Sequence, residues 1–513
     1  MGKEIHEKQI SKKSDSGICV NQSVKSVAKK YSRKDFIKLG AAAGAGLVFA
    51  ACGSSDNNQQ TDSVKTDSSR KDSGKDEKKI SVELIFKEDL RYETLRKGFN
   101  KRINKYPLVI ALCTSTNDVS EAIQYARKNK LAIAVKSGGH SMEGFSSNDG
   151  GMVINLSKMN SVEFLEDNKI KTGPGCTLSH LYDNILPKRR IIPAGSCGTV
   201  GLGGLTMGGG YGLFARRFGL TCDNLLEATM VDGNGVIHST KDDPELLWAL
   251  RGGGAGNFGV VTELIYQSHE APENMQAHHF KTRNLDASGA KDILEKWFAL
   301  AAQLPDSCFS GFVLNGSTLN ILVTNYDAKA DDTLQPLLDD FMKYTDEFRS
   351  GNPGELSKML KNYYGSLVPV YFRNSSAGLY KSFDDISGVI DQVLDKVIHN
   401  SGMIYQVNTL GGNIANADFE KVSCYPHRAY NFISELQAYW QNPSGEEKLK
   451  NVSQECLQIF KDAGITSQYI NYCSLDFTEW ETAYYGNNYP RLQAVKKKYD
   501  AANFIRHPQS VKV

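Results

Sequence analysis

The sequence predicts an α+β protein in which a region of mixed strands and helices precedes a region built on an antiparallel sheet. Strand and helix patterns alternate with short turns between residues 107 and 156. Hairpin and strand patterns follow after residue 300, between stretches of helical periodicity. The 513 residues suffice for two or more packed domains. The 60 basic and 58 acidic residues nearly balance, and no basic stripe stands out that would indicate nucleic-acid binding.

In the first region, residues 107–112 are an apolar run typical of a buried strand. Residues 118–130 place apolar side chains at helical spacing, and Asn117 is the expected helix cap. Residues 131–135 and 152–156 are two further short apolar runs. This order of strand, helix and strand predicts a domain in which the two are mixed.

In the second region, residues 294–304 and 333–348 are predicted helices. Residues 311–314 and 319–323 flank an Asn-Gly pair, which is a strong hairpin signal. With the strand pattern at 404–410 they predict an antiparallel sheet that carries helices on one side.

Glycine is concentrated between Gly195 and Gly212, where it occupies nine of eighteen positions. Bulky apolar residues between the glycines distinguish this run from a flexible linker. A second cluster at 136–141 follows the strand pattern at 131–135. Such runs are typical of backbone folded closely around a bulky ligand, with amide groups turned towards phosphate or ring oxygens. The alternative is a glycine-rich turn in a buried sheet.

The two clusters together resemble the berberine-bridge-enzyme-like branch of the FAD-linked oxidases, which share the vanillyl-alcohol-oxidase (PCMH-type) fold. The resemblance covers roughly residues 85–513. Four motifs carry it: Lys-Ser-Gly-Gly-His-Ser at 136–141, Gly-Ser-Cys-Gly-Thr-Val-Gly-Leu-Gly-Gly at 195–204, Trp-Ala-Leu-Arg-Gly-Gly-Gly-Ala-Gly-Asn-Phe-Gly-Val-Val-Thr at 248–262, and Asn-Tyr-Pro-Arg-Leu at 488–492.

This resemblance implies a domain order. Residues 103–270 are expected to form a PCMH-type FAD-binding domain of two subdomains. Residues 271–480 are expected to form the substrate domain on the antiparallel sheet, and residues 481–513 to return to the FAD domain.

The resemblance also implies that FAD is attached twice, through His140 and Cys197. Lys136 is expected near the negative phosphates or ring, and Asn488 near the ring. Val200 matches a position that controls oxygen access, where valine accompanies oxidase behaviour. The complete set of expected cofactor residues is Lys136, Ser137, Gly138, Gly139, His140, Ser141, Cys197, Thr199, Val200, Gly201, Gly203, Gly204, Tyr211, Gly259, Val261 and Asn488.

Three residues are candidates for catalysis. Glu435 matches a position where family members carry a glutamate base, and burial would raise its pKa. Tyr469 or Tyr472 is expected to bind the substrate hydroxyl and assist its deprotonation. The alternatives are an ordinary strand carboxylate and aromatic core packing. The residues expected to face the substrate are Tyr405, Gln406 and Asn408.

The first 51 residues are expected to be an export signal. The uncharged run 39–51 is too short to span a bilayer and follows a basic stretch. Residues 32–38 resemble a twin-arginine signal with lysine in place of the second arginine, and Cys52 resembles a lipidated cysteine. Residues 52–80 have the composition of a disordered tether, so the protein is expected outside the cytoplasmic membrane, anchored to its surface.

These expectations describe an FAD-dependent oxidoreductase that oxidises a hydroxyl-bearing carbon of an oligosaccharide or alcohol, with hydride transfer to flavin and oxygen as acceptor. One alternative is a dehydrogenase that uses a quinone or protein acceptor. Another is a non-catalytic ligand-binding lipoprotein. The ten cysteines form no Cys-x-x-Cys pair, so no zinc site or redox dithiol is expected.

Overall fold

The computed structural model describes residues 80–513, so the expected export signal and all of the expected tether except residue 80 lie outside the described residues. Helices and mostly antiparallel sheets are combined throughout, which confirms the α+β class. None of the helices in this part of the chain combines the length and apolar character needed to cross a bilayer.

The first unit is a four-stranded sheet with two helices. Its elements are β1 (Glu83–Ile85), α1 (Tyr92–Arg96), β2 (Val109–Leu112), α2 (Thr116–Lys128), β3 (Ile133–Lys136) and β4 (Met152–Asn155). The strand order is β1-β2-β4-β3; β1 is antiparallel to β2, and the other pairs are parallel. Since β1 pairs with β2, this unit extends N-terminal to the expected boundary at 103.

Helix α2 begins two residues earlier than its apolar pattern indicates. Ser115 is the cap, because its hydroxyl accepts the Asp118 amide and the Asp118 carboxylate accepts the Ser115 amide. The expected cap at Asn117 is therefore wrong. The helix packs on the sheet through one buried stripe: Val119, Ala122, Ile123 and Ala126.

The second unit is a five-stranded antiparallel sheet. Its elements are β5 (Val162–Phe164), β6 (Lys169–Thr172), α3 (Leu178–Ile185), β7 (Arg190–Ile191), α4 (Leu202–Met207), α5 (Ala215–Phe218), β8 (Leu225–Asp232), β9 (Ile237–Ser239), α6 (Pro244–Leu250), β10 (Gly259–Gln267) and β11 (His269–Glu270). The strand order is β5-β6-β10-β8-β9, and β7 pairs separately with β11. The glycine-rich run of the sequence lies between β7 and α5, and it includes α4.

The third unit is an eight-stranded antiparallel sheet with order β15-β12-β14-β13-β18-β19-β17, to which β16 adds beside β12. Its elements are β12 (Asn274–Thr282), α7 (Ala287–Ala301), β13 (Cys308–Asn315), β14 (Thr318–Asn325), α8 (Asp331–Phe341), β15 (Glu347–Ser350), β16 (Gly354–Glu355), α9 (Leu356–Lys361), β17 (Tyr371–Tyr380), α10 (Ile390–His399), β18 (Met403–Thr409), α11 (Ala417–Val422), β19 (Phe432–Trp440) and α12 (Glu446–Asp462). The helix predicted over 333–348 is too long, because residues 347–350 form the edge strand β15.

The two faces of this sheet differ in chemistry. Alternate residues of β19, such as Phe432 and Leu436, join an apolar core with Trp297 of α7, Leu394 of α10 and Phe460 of α12. Successive side chains of a strand point to opposite faces, so the residues between them face the first two units. This arrangement confirms a sheet with helices on one face and leaves the other face available for a site.

The C-terminal helices α13 (Trp480–Tyr485) and α14 (Tyr489–Asp500) contact the second unit rather than extending away. The Tyr485 hydroxyl donates to the Gly253 carbonyl at 3.1 Å. The Lys496 amine donates to the Asn257 carbonyl at 2.6 Å. The end of the chain therefore lies against the third glycine cluster.

Candidate active site

A cavity of about 310 Å³ lies where the first two units meet the polar face of the large sheet. The glycine loops at 137–141, 195–204 and 254–259 all contribute to its wall. Residues from the large sheet complete it: Phe309, Leu322, Phe372 and Asn408. Three of the predicted motifs thus surround one cavity.

The loops that carry His140 and Cys197 are in direct backbone contact. A methyl group placed on Gly138 would lie 2.3 Å from the Gly201 nitrogen, and one on Gly201 would lie 2.1 Å from the Ser137 hydroxyl. No side chain fits at either position without moving backbone. The glycines therefore fix the two loops against each other.

His140 is positioned by contacts on two sides. Its Nε2 lies 2.9 Å from the Thr199 hydroxyl, and its ring stacks on Phe99 with centroids 4.3 Å apart. Burial lowers the pKa of His140 to about 4, so the imidazole is neutral at neutral pH. In the tautomer whose Nε2 donates to Thr199, Nδ1 keeps a free lone pair.

Cys197 lines the same cavity as His140 and is partly exposed. Burial raises the pKa of its thiol, while the Thr199 amide, the Thr199 hydroxyl and the Val200 amide lower it. All eight cysteines within residues 80–513 carry free thiols. Thr199 therefore contacts both predicted attachment residues.

The cavity wall combines open backbone surface with polar groups, and both features fit a flavin. Gly204 lines the cavity, yet a methyl group built on it would meet no protein atom within 4 Å, so that surface is open to a bound group. The predicted cofactor residues that line the cavity are Ser137, Gly138, Gly139, His140, Ser141, Cys197, Val200, Gly201, Gly203, Gly204, Tyr211, Gly259 and Val261. Backbone amides and hydroxyls in such loops suit the polar atoms of FAD.

Lys136 does not face the cavity, and its predicted role beside the phosphates is wrong. Its amine donates to the Leu95 carbonyl at 2.7 Å and to the Lys97 carbonyl. It is the last residue of β3, and strand alternation turns it away from Ser137, which does line the cavity. Burial lowers the pKa of Lys136 to about 8.

Asn488 also lies away from the cavity. Its amide donates to the Cys424 carbonyl at 3.0 Å, so it joins the C-terminal segment to the loop before β19. The prediction that Asn488 lies near the ring is wrong, because the motif at 488–492 opens helix α14 outside the cavity wall.

Tyr405 points to the helix side of the large sheet. Its ring belongs to the apolar core, and its hydroxyl donates to the Tyr380 hydroxyl at 3.2 Å. Its predicted contact with substrate is wrong because β18 alternates. Gln406 and Asn408 occupy the opposite face, and of these Asn408 lines the cavity.

A chain of buried amides supports Asn408. The Gln437 amide donates to Gln406 at 3.1 Å, and the Gln406 amide donates to Asn408 at 3.1 Å. The Asn408 amide donates in turn to the Tyr211 hydroxyl at 2.9 Å. Gln406 is fully buried and serves this network without reaching the cavity.

Three phenols meet at the end of that network. The Tyr211 and Tyr472 oxygens lie 2.6 Å apart, and both residues line the cavity. The Tyr469 oxygen accepts the Gly210 amide at 3.0 Å and the Asn471 amide at 2.9 Å. Burial and the nearby Glu435 raise the pKa of both Tyr211 and Tyr472 well above 10.

Glu435 lies behind the phenols rather than on the cavity wall. It is 0 % exposed, and its Oε2 accepts the Asn374 amide at 2.6 Å. Its Oε1 makes no direct hydrogen bond within the described part of the chain. Burial raises the pKa of Glu435 to about 7, although Asn374, Gln437 and Tyr472 lower it. The carboxyl group is therefore poised near neutral pH, beside a phenol that faces the cavity.

Three features of the site were not predicted from the sequence. Phe99 stacks on His140, Asn374 binds Glu435, and Arg506 lines the cavity. Phe99 precedes the first glycine cluster by about forty residues, and Asn374 is a polar residue within an otherwise ordinary strand. Neither carries a local pattern that indicates a site.

Comparison with known proteins identifies the family. The FAD binding domain model matches residues 107–241, and the berberine and berberine-like model matches residues 468–512. The chain is 31% identical to chitooligosaccharide oxidase of Gibberella zeae over 449 residues, which cover 81% of this chain and 89% of that protein. It is 29% identical to the FAD-linked oxidoreductase YvdP of Bacillus subtilis, with 84% and 98% covered.

Solved structures agree with this comparison. A chitooligosaccharide oxidase structure is 26% identical, with a TM-score of 0.75 and coverage of 84% of this chain and 97% of that one. The Physcomitrella patens BBE-like 1 structure has the same fold, with a TM-score of 0.78, 22% identity and coverage of 85% and 97%. This chain belongs to the berberine-bridge-enzyme-like family of FAD-linked oxidoreductases.

Proposed function

We propose that this enzyme oxidises a hydroxyl-bearing carbon of an uncharged oligosaccharide or alcohol, with bicovalently attached FAD and with oxygen as the electron acceptor. One observation carries the proposal. The phenols of Tyr211 and Tyr472 line the same cavity as His140 and Cys197, with the Glu435 carboxyl behind them. The bound flavin supplies the hydride acceptor.

Proton removal is assigned to a relay rather than to a single base. A resting phenolate is unfavourable, because the pKa values of Tyr211 and Tyr472 are raised. Tyr472 instead takes the substrate hydroxyl proton as it releases its own proton to Glu435. The Glu435 pKa of about 7 suits such an acceptor at neutral pH. Asn408 orients Tyr211, which holds the Tyr472 oxygen in place.

The cavity wall favours a neutral substrate with flat apolar faces. Among the described residues that line it, Arg506 is the only lysine, arginine, aspartate or glutamate. Aromatic rings of the wall suit stacking on sugar faces: Phe99, Phe309, Tyr363 and Phe372. The chitooligosaccharide oxidase relative supports an oligosaccharide as the first choice.

The double attachment is supported by the shared wall and by Thr199. His140 offers a neutral ring with one nitrogen engaged by Thr199, which leaves Nδ1 for the bond to flavin. Cys197 offers a thiol on the same wall. Denaturing electrophoresis with in-gel flavin fluorescence tests this assignment. His140→Ala and Cys197→Ala should each retain fluorescence, and the double variant should lose it. Wild-type protein that loses its flavin on denaturation would contradict the attachment.

Oxygen as acceptor is supported by Val200, which lines the cavity. Reduced enzyme should then be reoxidised by air much faster than free flavin, with release of hydrogen peroxide. Comparison of oxygen with a dye acceptor separates this proposal from a dehydrogenase that uses a quinone or protein. A panel of neutral, cationic and anionic oligosaccharides tests the substrate class, and only the neutral members should release peroxide at a high rate.

We also propose export by the twin-arginine route and lipid anchorage at Cys52. The support is the sequence of residues 1–51 and the tether composition of residues 52–80. The route suits this enzyme because it carries folded proteins, and a flavin bound twice requires folding before export. Cys52→Ser should move the enzyme from the membrane fraction to the soluble fraction of exported protein. An unchanged membrane fraction would contradict the anchor.

A further inference from the structure

The last residues of the chain form one side of the cavity. We call residues 504–511 the C-terminal strap. Three consecutive strap residues, 505–507, line the cavity, as does the glycine loop at 254–259. The His507 ring stacks on Phe145 with centroids 4.4 Å apart, and its Nε2 lies 3.3 Å from the Ala255 carbonyl. The strap and the glycine loop therefore border the same part of the cavity.

A buried ion pair holds the strap in this position. Lys496 and Asp500 of α14 are at most 1% exposed, and their charged atoms lie 2.7 Å apart. The Lys496 amine also donates to the Ile505 carbonyl at 2.5 Å and to the Asn257 carbonyl at 2.6 Å. The Asp500 carboxylate accepts the Ile505 and Phe504 amides at 2.8 and 2.9 Å. One amine thus ties the strap to the glycine loop.

The strap brings a single unpaired charge to the cavity. Arg506 lines the wall, is exposed, and makes no hydrogen bond or ion pair with any residue in the described part of the chain. Lys136, the cation expected beside the phosphates, binds carbonyl groups on the other side of its loop. FAD carries two negative phosphates, and an anion removed from water requires a cation or several N–H donors.

We propose that Arg506 is the cation that binds the FAD diphosphate, and that the Lys496–Asp500 pair positions it by fixing the strap. Arginine suits this role because its planar fork of N–H groups matches phosphate oxygens. The inference rests on FAD binding and not on the covalent attachment, because a diphosphate requires the same cation in either case.

Reversible flavin binding tests the proposal in a His140→Ala/Cys197→Ala background. Arg506→Gln should raise the Kd for FAD by about tenfold or more, as expected for one charge-assisted hydrogen bond. The Kd for riboflavin, which lacks phosphate, should change by less than about twofold, since this bond is absent. Arg506→Lys, which keeps the charge but not the planar fork, should lose less FAD affinity than Arg506→Gln. Lys497→Gln is the matched control, because it removes a charge from an exposed residue of α14 that does not line the cavity.

Salt provides a second measurement. FAD affinity should fall as ionic strength rises, and this dependence should be weaker in Arg506→Gln. An unchanged Kd for FAD would overturn the proposal. An equal loss of riboflavin and FAD binding would also overturn it, because the effect would then be on cavity shape and not on phosphate.

Two alternative backgrounds cover the cases in which the flavin is not covalently bound or the double variant does not fold. If the wild-type flavin is not covalent, the titration is made on wild-type apoprotein. If the double variant does not fold, Arg506→Gln is introduced into the native chain, and the rate of covalent flavin incorporation is measured against FAD concentration. Arg506→Gln should then need more FAD for half-maximal incorporation and should reach the same final level. An unchanged half-maximal concentration would refute the role of Arg506.

Discussion

Replacement of Glu435 by glutamine is expected to stabilise the protein at alkaline pH while it removes most of the activity. Glu435 is fully buried, and burial raises its pKa from 4.5 to about 7. The native protein therefore holds a proton between these pH values that the unfolded chain releases. Stability is consequently lost as pH rises from about 4.5 through about 7. Glutamine keeps an oxygen for the Asn374 amide and cannot ionise.

The size of the effect follows from the difference in pKa. A difference of about 2.5 at 1.36 kcal/mol for each pKa unit corresponds to about 3 kcal/mol. The difference in unfolding free energy between Glu435→Gln and wild type should therefore increase by up to about 3 kcal/mol between pH 4.5 and pH 8. Loss of the proposed proton acceptor should lower kcat by about 10²-fold or more.

Thermal unfolding of the flavin-loaded enzyme, followed at matched scan rates from pH 4.5 to pH 8.5, measures this difference. The increase in melting temperature of Glu435→Gln over wild type should grow with pH. Glu295→Gln, at an exposed position on α7, is the control and should show no such growth. A difference that is constant with pH, or that shrinks as pH rises, would refute the assignment of a raised pKa to Glu435.

Three further substitutions test separate parts of the structure. Tyr472→Phe should lower kcat by about 10²-fold or more and leave in-gel flavin fluorescence intact, because it breaks the proposed relay without changing the proposed attachment residues. Normal turnover would refute the relay. Tyr405→Phe should leave kcat and KM unchanged, because the phenol faces the helices. A raised KM would show that Tyr405 contacts the substrate after all. Lys496→Met should destabilise the enzyme by about 3–5 kcal/mol, because Asp500 stays buried without its partner. Urea unfolding measures this loss, with Lys497→Met at an exposed position as the control.

Local glycine patterns indicated where the backbone packs closely around a cavity, because they constrain the main chain. The contact between Gly138 and Gly201 leaves no space for a side chain at either position. The need for glycine there is therefore visible in the sequence. The assignment of His140 and Cys197 came from the resemblance to FAD-linked oxidases that these loops carry, and both residues line one cavity. The antiparallel sheet was likewise predicted from the hairpin pattern at 311–323.

The errors arose where tertiary packing chose between two faces of a strand. Tyr405 and Gln406 are adjacent in sequence, and either side chain could bind a substrate. The tyrosine faces the core because the helices pack on its side of β18. Lys136 was predicted to lie near the flavin phosphates or ring because of its motif. Its amine instead donates to the Leu95 and Lys97 carbonyls beside α1, which no local sequence pattern indicates. The Asn374–Glu435 pair joins residues 61 positions apart and follows from sheet register alone.

The backbone contact between Gly138 and Gly201 fixes the spacing of the loops that carry His140 and Cys197, the two proposed attachment residues. The two loops meet through the main chain of Gly138 and Gly201, and the Ser137 hydroxyl lies at the same contact. Exchanging the imidazole or the thiol for another group would alter the chemistry at a proposed attachment point but not the position of its loop. A redesign of the proposed linkage is therefore best confined to residues 140 and 197, since a single methyl group added at Gly138 or Gly201 would force both loops apart together.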